Sequence, residues 1–429
     1  MSDTASLDTA SRPLRVRDFY LGRQAVLDRN QALFGYELLF RSSSTGPALV
    51  ESGLSATAGV IAHAAQLGLA RAIGDANGFL NVDADVLMSD IFAFLPREKT
   101  VLEIVPTVEP TEAVLWRIAE LAGHGFRFAA EAVADSRRGP PQLQRLLPLV
   151  DYVKMDLRAL PIVSLLALVP RVREAGRKLI AEKVETREEH KTCLDLGFDY
   201  FQGFYFARPS VLGGRKLSPS QQAVLELMRL VMSDADNRQV ELAVKRDASL
   251  ALNLLRVVNT PAVGARQRID SLGQALIVLG RRQLQRWLQI MLYAEPASRG
   301  HNMSPLLMLA TTRGRLMELL AQRLRPGQPR LAEIAFTVGI MSLMDALFSM
   351  PMADIVEQVP VIDEVAGALL HRAGFFGELL RLAESIERME EGEDIVTPAL
   401  RQLAISGDDL AELEIAAFEW SDTVVRYAI

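Results

Sequence analysis

Cysteine is almost absent from this chain of 429 residues, in which Cys193 is the single example. One thiol cannot form a disulfide within the chain, and it cannot build a thiolate cage around a metal. Histidine is also scarce, with five residues, and no histidine is followed directly by aspartate. These shortages exclude a disulfide scaffold and fit the reducing cytoplasm, where we expect the protein to be located.

Long apolar runs are missing as well. No stretch offers about 18 uninterrupted apolar residues, and residues 1–15 lack the apolar core of a secretory signal. We therefore expect no membrane association and a disordered leader over residues 1–15. The net charge of −6 and the isoelectric point near 5.6 disfavour broad attraction to nucleic acid or anionic lipid. Nucleic acid is accordingly not expected as a partner.

The length and the hydrophobic content predict two domains. A chain of 429 residues exceeds what one hydrophobic core usually serves, and its 49% hydrophobic residues can fill two cores. The sequence pattern changes after Pro209. Residues 211–220 contain two adjacent glycines and are predicted to form a linker. We predict an α/β domain over residues 16–210 and an all-helical domain over residues 221–429.

The first domain alternates short β-type runs with amphipathic helical stretches, the pattern of a TIM-like β/α barrel whose parallel strands are joined by crossover helices. In such a barrel the reactive groups lie at the carboxyl ends of the strands. The eight predicted strands are Tyr20–Leu27, Phe34–Arg41, Phe79–Val82, Val101–Val105, Arg127–Ala132, Tyr152–Asp156, Lys178–Val184 and Tyr200–Phe206.

In the second domain apolar residues recur at helical spacing and strand signals stop. Asp247 is a plausible N-cap of the helix that contains Leu250 and Leu254. The further predicted helices are Ser271–Gly280, Arg281–Leu292, Pro305–Leu324, Leu331–Leu347, Ile362–Ala373, Gly377–Met389 and Gly407–Tyr427. An arginine cluster between Arg256 and Arg286 could bind an acidic partner, but we favour an ordinary solvated helix face.

Polar residues at the predicted strand ends are the candidate site. Each carboxylate alone is more often a solvated loop residue, but a group of them on one face needs a cation or protons between its members. Lys154 can supply an internal positive charge, or it can form an ordinary salt bridge to Asp156 or to a neighbour. The polar residues in question are Glu37, Asn81, Glu103, Glu131, Asp156, Glu182 and Glu185.

Seven stretches of the first half form a series of motifs, namely Gln24, Gly35–Arg41, Phe79–Val82, Leu102–Ile104, Val153–Asp156, Leu179–Thr186 and Asp199–Phe204. In this order along the chain they resemble the EAL family of bacterial phosphodiesterases that linearise cyclic di-GMP. The resemblance spans about Phe19 to Pro209. Within Gly35–Arg41 the family's Glu-Ala-Leu-Leu signature is matched with Leu38 in place of alanine.

The resemblance implies a site with two Mg²⁺ or Mn²⁺ ions, which clamp a phosphodiester and activate a water molecule. In that scheme Glu182 accepts the proton of the water, and Lys154 orients the water or stabilises the developing charge. Gln24, Arg41 and Gln202 would contact the nucleotide. The implied metal ligands are Glu37, Asn81, Glu103, Glu131, Asp156 and Glu185.

One segment departs from the family pattern. The family's Asp-Asp-Phe-Gly-Thr-Gly run falls on Glu131–Ser136, so its second aspartate is replaced by Ala132. Alanine offers no oxygen, and a paired-cation site thereby loses a ligand. The longer glutamate at position 131 displaces its oxygens by about 1 Å, and Lys183 replaces a glycine beside Glu182. We therefore predict an incomplete metal site and loss of hydrolysis.

The second half resembles the HDOD family, helical output domains related to metal-dependent phosphohydrolases of the HD type. The resemblance runs from about Leu217 to Ser406 and is carried by Asp247–Asn259 and Ile269–Gly280. An active HD centre needs several histidines with adjacent aspartates, and the five scattered histidines provide none. The barrel and the helical domain together resemble the EAL-HDOD signalling proteins.

These patterns favour a catalytically inactive regulatory protein in cyclic-di-GMP-related signalling, in which the HDOD domain binds another protein. No cofactor is required for that role, whereas Mg²⁺ or Mn²⁺ would be needed if the barrel were functional. Two alternatives stay open. The barrel is a metal-dependent cyclic-di-GMP phosphodiesterase, or it is a receptor that binds cyclic di-GMP without hydrolysing it. The sequence does not identify the partner protein, the pathway or the oligomeric state.

Overall fold

A computed structural model describes residues 19–42, 69–89, 92, 95–132, 140–207, 219–233, 235–259, 269–293, 305–348, 350–388 and 396–428. The predicted leader, most of the amphipathic helix that the sequence predicts over Ala56–Ala72 and the loop around Asp135 lie outside this description. So do residues 211–218 of the predicted linker and two arginines of the cluster, Arg266 and Arg268. The domain boundaries therefore stay predictions.

The first half is a closed barrel of eight strands that are neighbours in their chain order. This confirms the predicted TIM-like architecture and the existence of every predicted strand. The last one is shorter than predicted, because the chain turns into a 3-10 helix at Tyr205–Ala207. The strands are β1 (Phe19–Asp28), β2 (Leu33–Ser42), β3 (Asn77–Val82), β4 (Thr100–Ile104), β5 (Arg127–Ala132), β6 (Tyr152–Asp156), β7 (Lys178–Glu182) and β8 (Tyr200–Gln202).

Strand β1 runs antiparallel to both of its neighbours, so the expectation of parallel strands throughout was wrong. The reason is the connection between β1 and β2. Asp28 caps a tight turn by accepting hydrogen bonds from the amides of Asn30 and Ala32 at 2.8 Å. A connection of a few residues reverses the chain, whereas a parallel pair needs a crossover of a dozen residues or more.

Helices cover the outside of the barrel, and aromatic side chains close its interior. Phe34 stacks on Tyr200 with ring centroids 4.0 Å apart, and Tyr152 packs against both Phe34 and Phe79. These rings lie one layer below the polar residues of the strand ends. The described helices of this half are Leu69–Ile73, Ala84–Leu87, Glu112–Gly123, Pro140–Leu146, Ile162–Glu174 and Arg187–Leu196, with a 3-10 turn at Arg97–Lys99.

The second half is entirely helical in the described residues, as predicted. Asp247 is the predicted N-cap, since its carboxylate accepts a hydrogen bond from the amide of Leu250 at 3.1 Å. Three short helices were not predicted, namely Asn237–Val244, Met352–Gln358 and Val396–Leu403. The others are Pro219–Met232, Ala248–Val258, Leu272–Tyr293, Pro305–Leu324, Pro329–Met341, Met344–Phe348, Asp363–His371, Gly374–Glu387 and Gly407–Ala428.

Gly280 divides the long segment Leu272–Tyr293, because its backbone leaves the helical region with φ 70° and ψ 165°. The sequence predicted two helices that meet at this glycine. Beyond it, Arg286 packs over the rings of Phe336 and Trp420 and forms an ion pair with Glu318 at 2.8 Å. This part of the arginine cluster therefore holds helices together and is not the solvated face that we favoured.

One stretch of the described residues, Pro329–Phe348, is long and apolar enough to cross a membrane by length and composition. It escaped the search for an uninterrupted apolar run because Glu333 and Asp345 interrupt it. In the fold 61% of its most apolar window is buried inside the protein. Its apolar character is accounted for by that packing, since a helix surrounded by other helices is hydrophobic on every side.

Candidate functional site: a carboxylate pocket at the strand ends

Lys154 lies at the centre of a pocket inside the barrel and is completely buried. Its Nζ is 2.7 Å from an oxygen of Glu37, 2.8 Å from an oxygen of Glu103 and 2.7 Å from an oxygen of Glu182. In the described residues Lys154 thus forms its salt bridges with three neighbouring glutamates, and not with Asp156. Four residues from four strands, β2, β4, β6 and β7, thus converge on one point.

The charges in this pocket are unequal, with one lysine facing three carboxylates. Burial raises the pKa of Glu103 well above its usual range, and the nearby Glu37 and Glu182 add to the rise. Burial also raises the pKa of Glu182, although Lys154 opposes it. The same three carboxylates outweigh burial at Lys154 and raise the pKa of its ammonium well above normal. The lysine is therefore favoured in its charged form, whereas burial and the neighbouring carboxylates oppose ionisation of Glu103 and Glu182.

Glu37 is the exception, because its partners favour the ionised form. Burial acts to raise its pKa, but Lys154 together with hydrogen bonds from Gln202 and Asn81 lowers it below the usual range. Asn81 Nδ2 donates to one oxygen at 3.0 Å, and Gln202 Nε2 donates to the other at 2.6 Å. Gln202 also donates to Gln24 Oε1. Both predicted nucleotide-contacting glutamines are thus within this network.

Glu131 extends the pocket along β5. Burial is the largest cause that raises its pKa to about 7, and the negative charge of Glu182 is the next. The residue after it turns to the other side of the strand, as successive strand residues do. Ala132 is 3% exposed and belongs to the apolar core of the protein. Position 132 therefore contributes hydrocarbon to the core and no oxygen to the pocket.

Asp156 is occupied by partners that the family pattern does not contain. Lys183 Nζ lies 2.7 Å from Asp156 Oδ2, and the amides of Arg158 and Ala159 donate to Oδ1 at 2.8 and 3.2 Å. Burial acts to raise the pKa of Asp156, but these donors outweigh it and lower the pKa. The amides were not predicted, although an aspartate that ends a strand commonly binds the backbone two residues ahead.

Two predicted residues are not placed in the pocket. Glu185 follows β7, where its side chain lies 3.9 Å from Arg158 and its amide donates to Glu189. These contacts are with the loop after β6 and with the helix Arg187–Leu196. Arg41 lies in β2, but its side chain is outside what the structure describes. The proposed roles of Glu185 as ligand and Arg41 as nucleotide contact stay predictions.

Gly203 follows Gln202 in the predicted Gln-Gly motif, and the fold requires a glycine there. Its φ is +143°, and a Cβ at this position would lie 2.1 Å from the carbonyl oxygen of Val184. The close approach of these two backbones brings β8 against the loop after β7. It thereby holds the side chain of Gln202 over the carboxylates.

The donor set suits one hard divalent cation. One oxygen from each of Glu37, Glu103 and Glu182 lies within 4.8 Å of the others, around the Lys154 ammonium that contacts all three residues, and Asn81 and Glu131 are their neighbours. Oxygen ligands of this kind are those that Mg²⁺ and Mn²⁺ prefer. A second cation would need further anionic ligands, and Ala132 and the Asp156–Lys183 pair reduce the supply on that side.

Models of two families match the chain in succession. The EAL domain model matches residues 7–209, and the HDOD domain model matches residues 217–360. Among solved structures, a Bacillus subtilis protein with an EAL domain in complex with cyclic di-GMP and calcium shares 22% identity at a TM-score of 0.38, covering 61% of this chain and 72% of its own. A Klebsiella pneumoniae manganese complex with cyclic di-GMP shares 22% identity at a TM-score of 0.36, covering 46% and 57%.

Two relatives match this chain along nearly their whole length. Cyclic di-GMP phosphodiesterase CdgJ of Vibrio cholerae is 30% identical over 413 residues, which are 95% of this chain and 93% of the relative. The Bacillus subtilis protein YuxH, whose function is not characterised, is 26% identical over 405 residues, or 94% of this chain and 97% of its own. With both domain models matched in order and similarity along nearly the whole of both chains, this protein belongs to the EAL-HDOD family.

Proposed function

We propose that this EAL-HDOD protein acts in cyclic-di-GMP signalling without hydrolysing the dinucleotide, and that its HDOD domain transmits the signal by binding another protein. The observation that carries the proposal is the environment of Ala132. Ala132 stands where the EAL pattern has its second aspartate, and its side chain belongs to the apolar core, so β5 offers a pair of metal ions only the carboxylate of Glu131.

The charge distribution supports the same proposal. Lys183 adds a cation beside Glu182 and forms an ion pair with Asp156, so it repels a metal ion from that side of the pocket. Glu37, Asn81, Glu103 and Glu131 would hold one divalent cation, which could polarise a phosphoryl oxygen. A single cation leaves the other reacting oxygen of an in-line displacement without the partner that a two-metal site supplies.

A phosphodiesterase is the second candidate, because CdgJ bears that name and matches 95% of this chain. In that case Glu182 would accept the proton of the attacking water, and Lys154, which already contacts Glu182, would stabilise the developing charge. Gln24 and Gln202 would then position the dinucleotide. A receptor that binds without turnover would use the same two glutamines together with Arg41.

Incubation of the purified full chain with cyclic di-GMP and Mn²⁺ or Mg²⁺, followed by chromatography of the products, tests the proposal. We expect no more linear dinucleotide than from the Glu37→Gln variant, which removes a carboxylate from the pocket. Turnover at an ordinary rate of about 1 per second or more, abolished in Glu37→Gln, would establish the enzyme instead. Calorimetric binding without product, lost in Arg41→Ala, would establish the receptor.

Complementation of a strain that lacks this gene tests whether the HDOD domain transmits the signal by protein contact. If the HDOD domain acts by protein contact, the Glu37→Gln variant should restore the phenotype as well as the parent chain does. Restoration by the parent alone would mean that signalling requires an intact carboxylate pocket.

A further inference from the structure

The carboxyl-terminal helix Gly407–Ala428, which lies beyond the residues matched by the HDOD model, packs against the barrel. Arg71 holds Glu419 through two hydrogen bonds, one of them 2.9 Å long. Arg23 of β1 lies 3.5 Å from Asp422 of the same helix. The helical domain is therefore attached to the barrel at β1 and at the short helix Leu69–Ile73.

Arg23 is the most enclosed of these contacts, with only 4% of its side chain exposed. Its guanidinium lies 4.1 Å from the ring centre of Tyr36 and 3.7 Å from that of Phe418. It also donates to the carbonyl oxygen of Ala72 at 2.8 Å. A planar cation between two rings, with one nitrogen bound to a carbonyl oxygen and another near a carboxylate, is held in one orientation. A displacement of the helix would therefore act on β1 directly.

Strand alternation connects this contact with the pocket. Arg23 and Tyr36 face the helical domain, and the residues beside them, Gln24 and Glu37, face the inside of the barrel. Gln24 and Glu37 are paired across β1 and β2. Tyr36 in turn contacts Met308 of the helical domain, with its hydroxyl 3.9 Å from the sulfur. Gln24 and Glu37 are thus each one peptide unit from a residue in contact with the helices.

Hydrogen bonds carry the connection across the pocket. Gln202 donates both to Gln24 and to Glu37, and the Glu37 oxygen that accepts this bond also accepts from Lys154. A shift of β1 moves Gln24 and so changes the orientation of Gln202. The position of the carboxylate at the centre of the pocket then changes as well.

A cavity of about 70 Å³ lies between β1 and the helices, lined by Gln24, Tyr36, Met308 and Phe418 among others. Well-packed protein resists displacement, whereas side chains that border a void lack neighbours on one side. This space leaves room for β1 to move relative to the helical domain.

We propose that the helical domain controls the carboxylate pocket through β1, with Arg23 as a positioning residue. A partner bound to the helical domain changes the position of Gln24 and Glu37, and a cation in the pocket changes partner affinity by the same factor. The coupling is independent of whether the pocket hydrolyses anything, so it can be tested apart from the proposed function.

Two readouts on the full chain test the coupling. Hydrogen exchange of β2 and β8 is measured without metal, and Mn²⁺ binding is measured by calorimetry. Asp422→Asn weakens the contact of Arg23 without changing the pocket. Asp409→Asn is the matched control, because it removes an ion pair of the same helix, with Arg323, that does not involve the barrel. The reciprocal variant is Gln202→Ala, read out in the exchange of Gly407–Ala428.

We expect Asp422→Asn to accelerate exchange in β2 and β8 and to change the Mn²⁺ dissociation constant by about fivefold or more, the lower range of allosteric coupling. Strand β5, on the opposite side of the barrel, should exchange as in the parent, which distinguishes coupling from general destabilisation. Asp409→Asn should leave β2 and β8 unchanged, and Gln202→Ala should loosen Gly407–Ala428.

Unchanged exchange in β2 and β8 after Asp422→Asn, with Gly407–Ala428 loosened, would overturn the proposal. Equal acceleration in all strands would overturn it too, as would a Gln202→Ala chain whose terminal helix exchanges as in the parent. If the parent chain does not bind Mn²⁺, the exchange data decide alone.

Discussion

At the scale of single residues, Lys154 is the group on which the pocket depends most. Its ammonium is completely buried and contacts Glu37, Glu103 and Glu182. Removal of one partner from a buried ionic cluster leaves charges that are neither solvated nor paired. The lysine is therefore required for the stability of the barrel, whether or not it takes part in chemistry.

We predict that Lys154→Met lowers the free energy of unfolding by about 3–5 kcal/mol at neutral pH. The loss should shrink as the pH falls, because protonation neutralises the carboxylates that have lost their cation. Urea unfolding between pH 5 and pH 8, values chosen to span roughly the upper titration range of buried carboxyls, measures this. Lys178→Met is the control, since Lys178 is 57% exposed and its pair with Asp199 contributes about 0–1 kcal/mol. An equal loss in both variants would contradict the prediction.

The polar residues of the pocket could be predicted from the sequence, but their partners could not. Asn81 and Glu103 lie one residue before the ends of successive strands, and that position implies convergence, whereas Glu37 lies in the middle of β2 and was found through its motif. Whether Lys154 forms ion pairs with Asp156 or with three glutamates depends on strand alternation and on differences in distance of a few tenths of an ångström. Arg23 carried no signal, since its role depends on a helix almost 400 residues later in the chain.

At the scale of elements, the helices Pro305–Leu324 and Pro329–Met341 pack more closely than most because glycines face each other where they cross. A Cβ on Gly339 would lie 2.7 Å from the Cα of Gly314 and 2.9 Å from the carbonyl oxygen of Arg313. Backbone atoms cannot move aside as a flexible side chain can. The helices would have to separate.

Gly339→Ala is accordingly expected to lower the free energy of unfolding by about 1–3 kcal/mol, the usual cost of overpacking. Thermal or urea denaturation of the full chain measures it. Gly123→Ala in the barrel is the control, because nothing lies within 4 Å of its Cβ and alanine favours a helix. A Gly339→Ala chain as stable as Gly123→Ala would show that the crossing tolerates a methyl group.

Glu318 joins two helices of the same domain, and its ion pairs give stability a defined pH dependence. Burial acts to raise its pKa, but hydrogen bonds and charges from Arg286 and Arg315 outweigh it and hold the pKa below the ordinary value of 4.5. A depressed carboxyl pKa stabilises the fold above the unfolded value, and this contribution is lost as the pH falls through the folded value.

The stability difference between the parent chain and Glu318→Gln should therefore be largest above about pH 5 and decline at lower pH. Denaturation series at several pH values measure it. Glu333→Gln removes the exposed pair with Arg282 and should show little difference at any pH. A Glu318→Gln difference that does not change with pH would mean that packing, not charge, is lost.

Strands and long helices could be predicted because their apolar periodicity is strong, and β5 and β6 were predicted to the residue. The helix Asn237–Val244 was missed because eight residues give too few turns for the helical period to be recognised. The direction of β1 was missed for a different reason. Periodicity indicates a strand but not its orientation, which depends here on the turn after Asp28.

At the scale of the whole molecule, the two domains share one continuous apolar core. Tyr36 belongs to the barrel by sequence, but its burial depends on Met308 and Phe418 of the helical half. Burial is the main cause that raises its pKa to about 12, although Arg23 opposes it. Two domains were predicted from length and composition. The sequence of either half alone does not indicate that residues of one domain are buried by the other.

A chain cut after residue 209 should consequently be less stable than the full protein and should bind more of a hydrophobic dye, since the outer face of β1 and β2 becomes exposed. The pKa of Tyr36 should fall from about 12 towards 10, measured as the difference in ultraviolet titration between the fragment and its Tyr36→Phe variant. A fragment with the urea midpoint of the full chain would show that the barrel is self-sufficient.

The reversed direction of β1 also determines at which end of the barrel this strand begins. Phe19 pairs with Ser42, at the carboxyl end of β2, so β1 starts at the rim around the carboxylates and not at the barrel floor. A fluorophore attached to the backbone position of residue 19 would sit beside the mouth through which a ligand arrives. It would therefore serve as a reporter of entry, and affinities should be measured on the unlabelled chain.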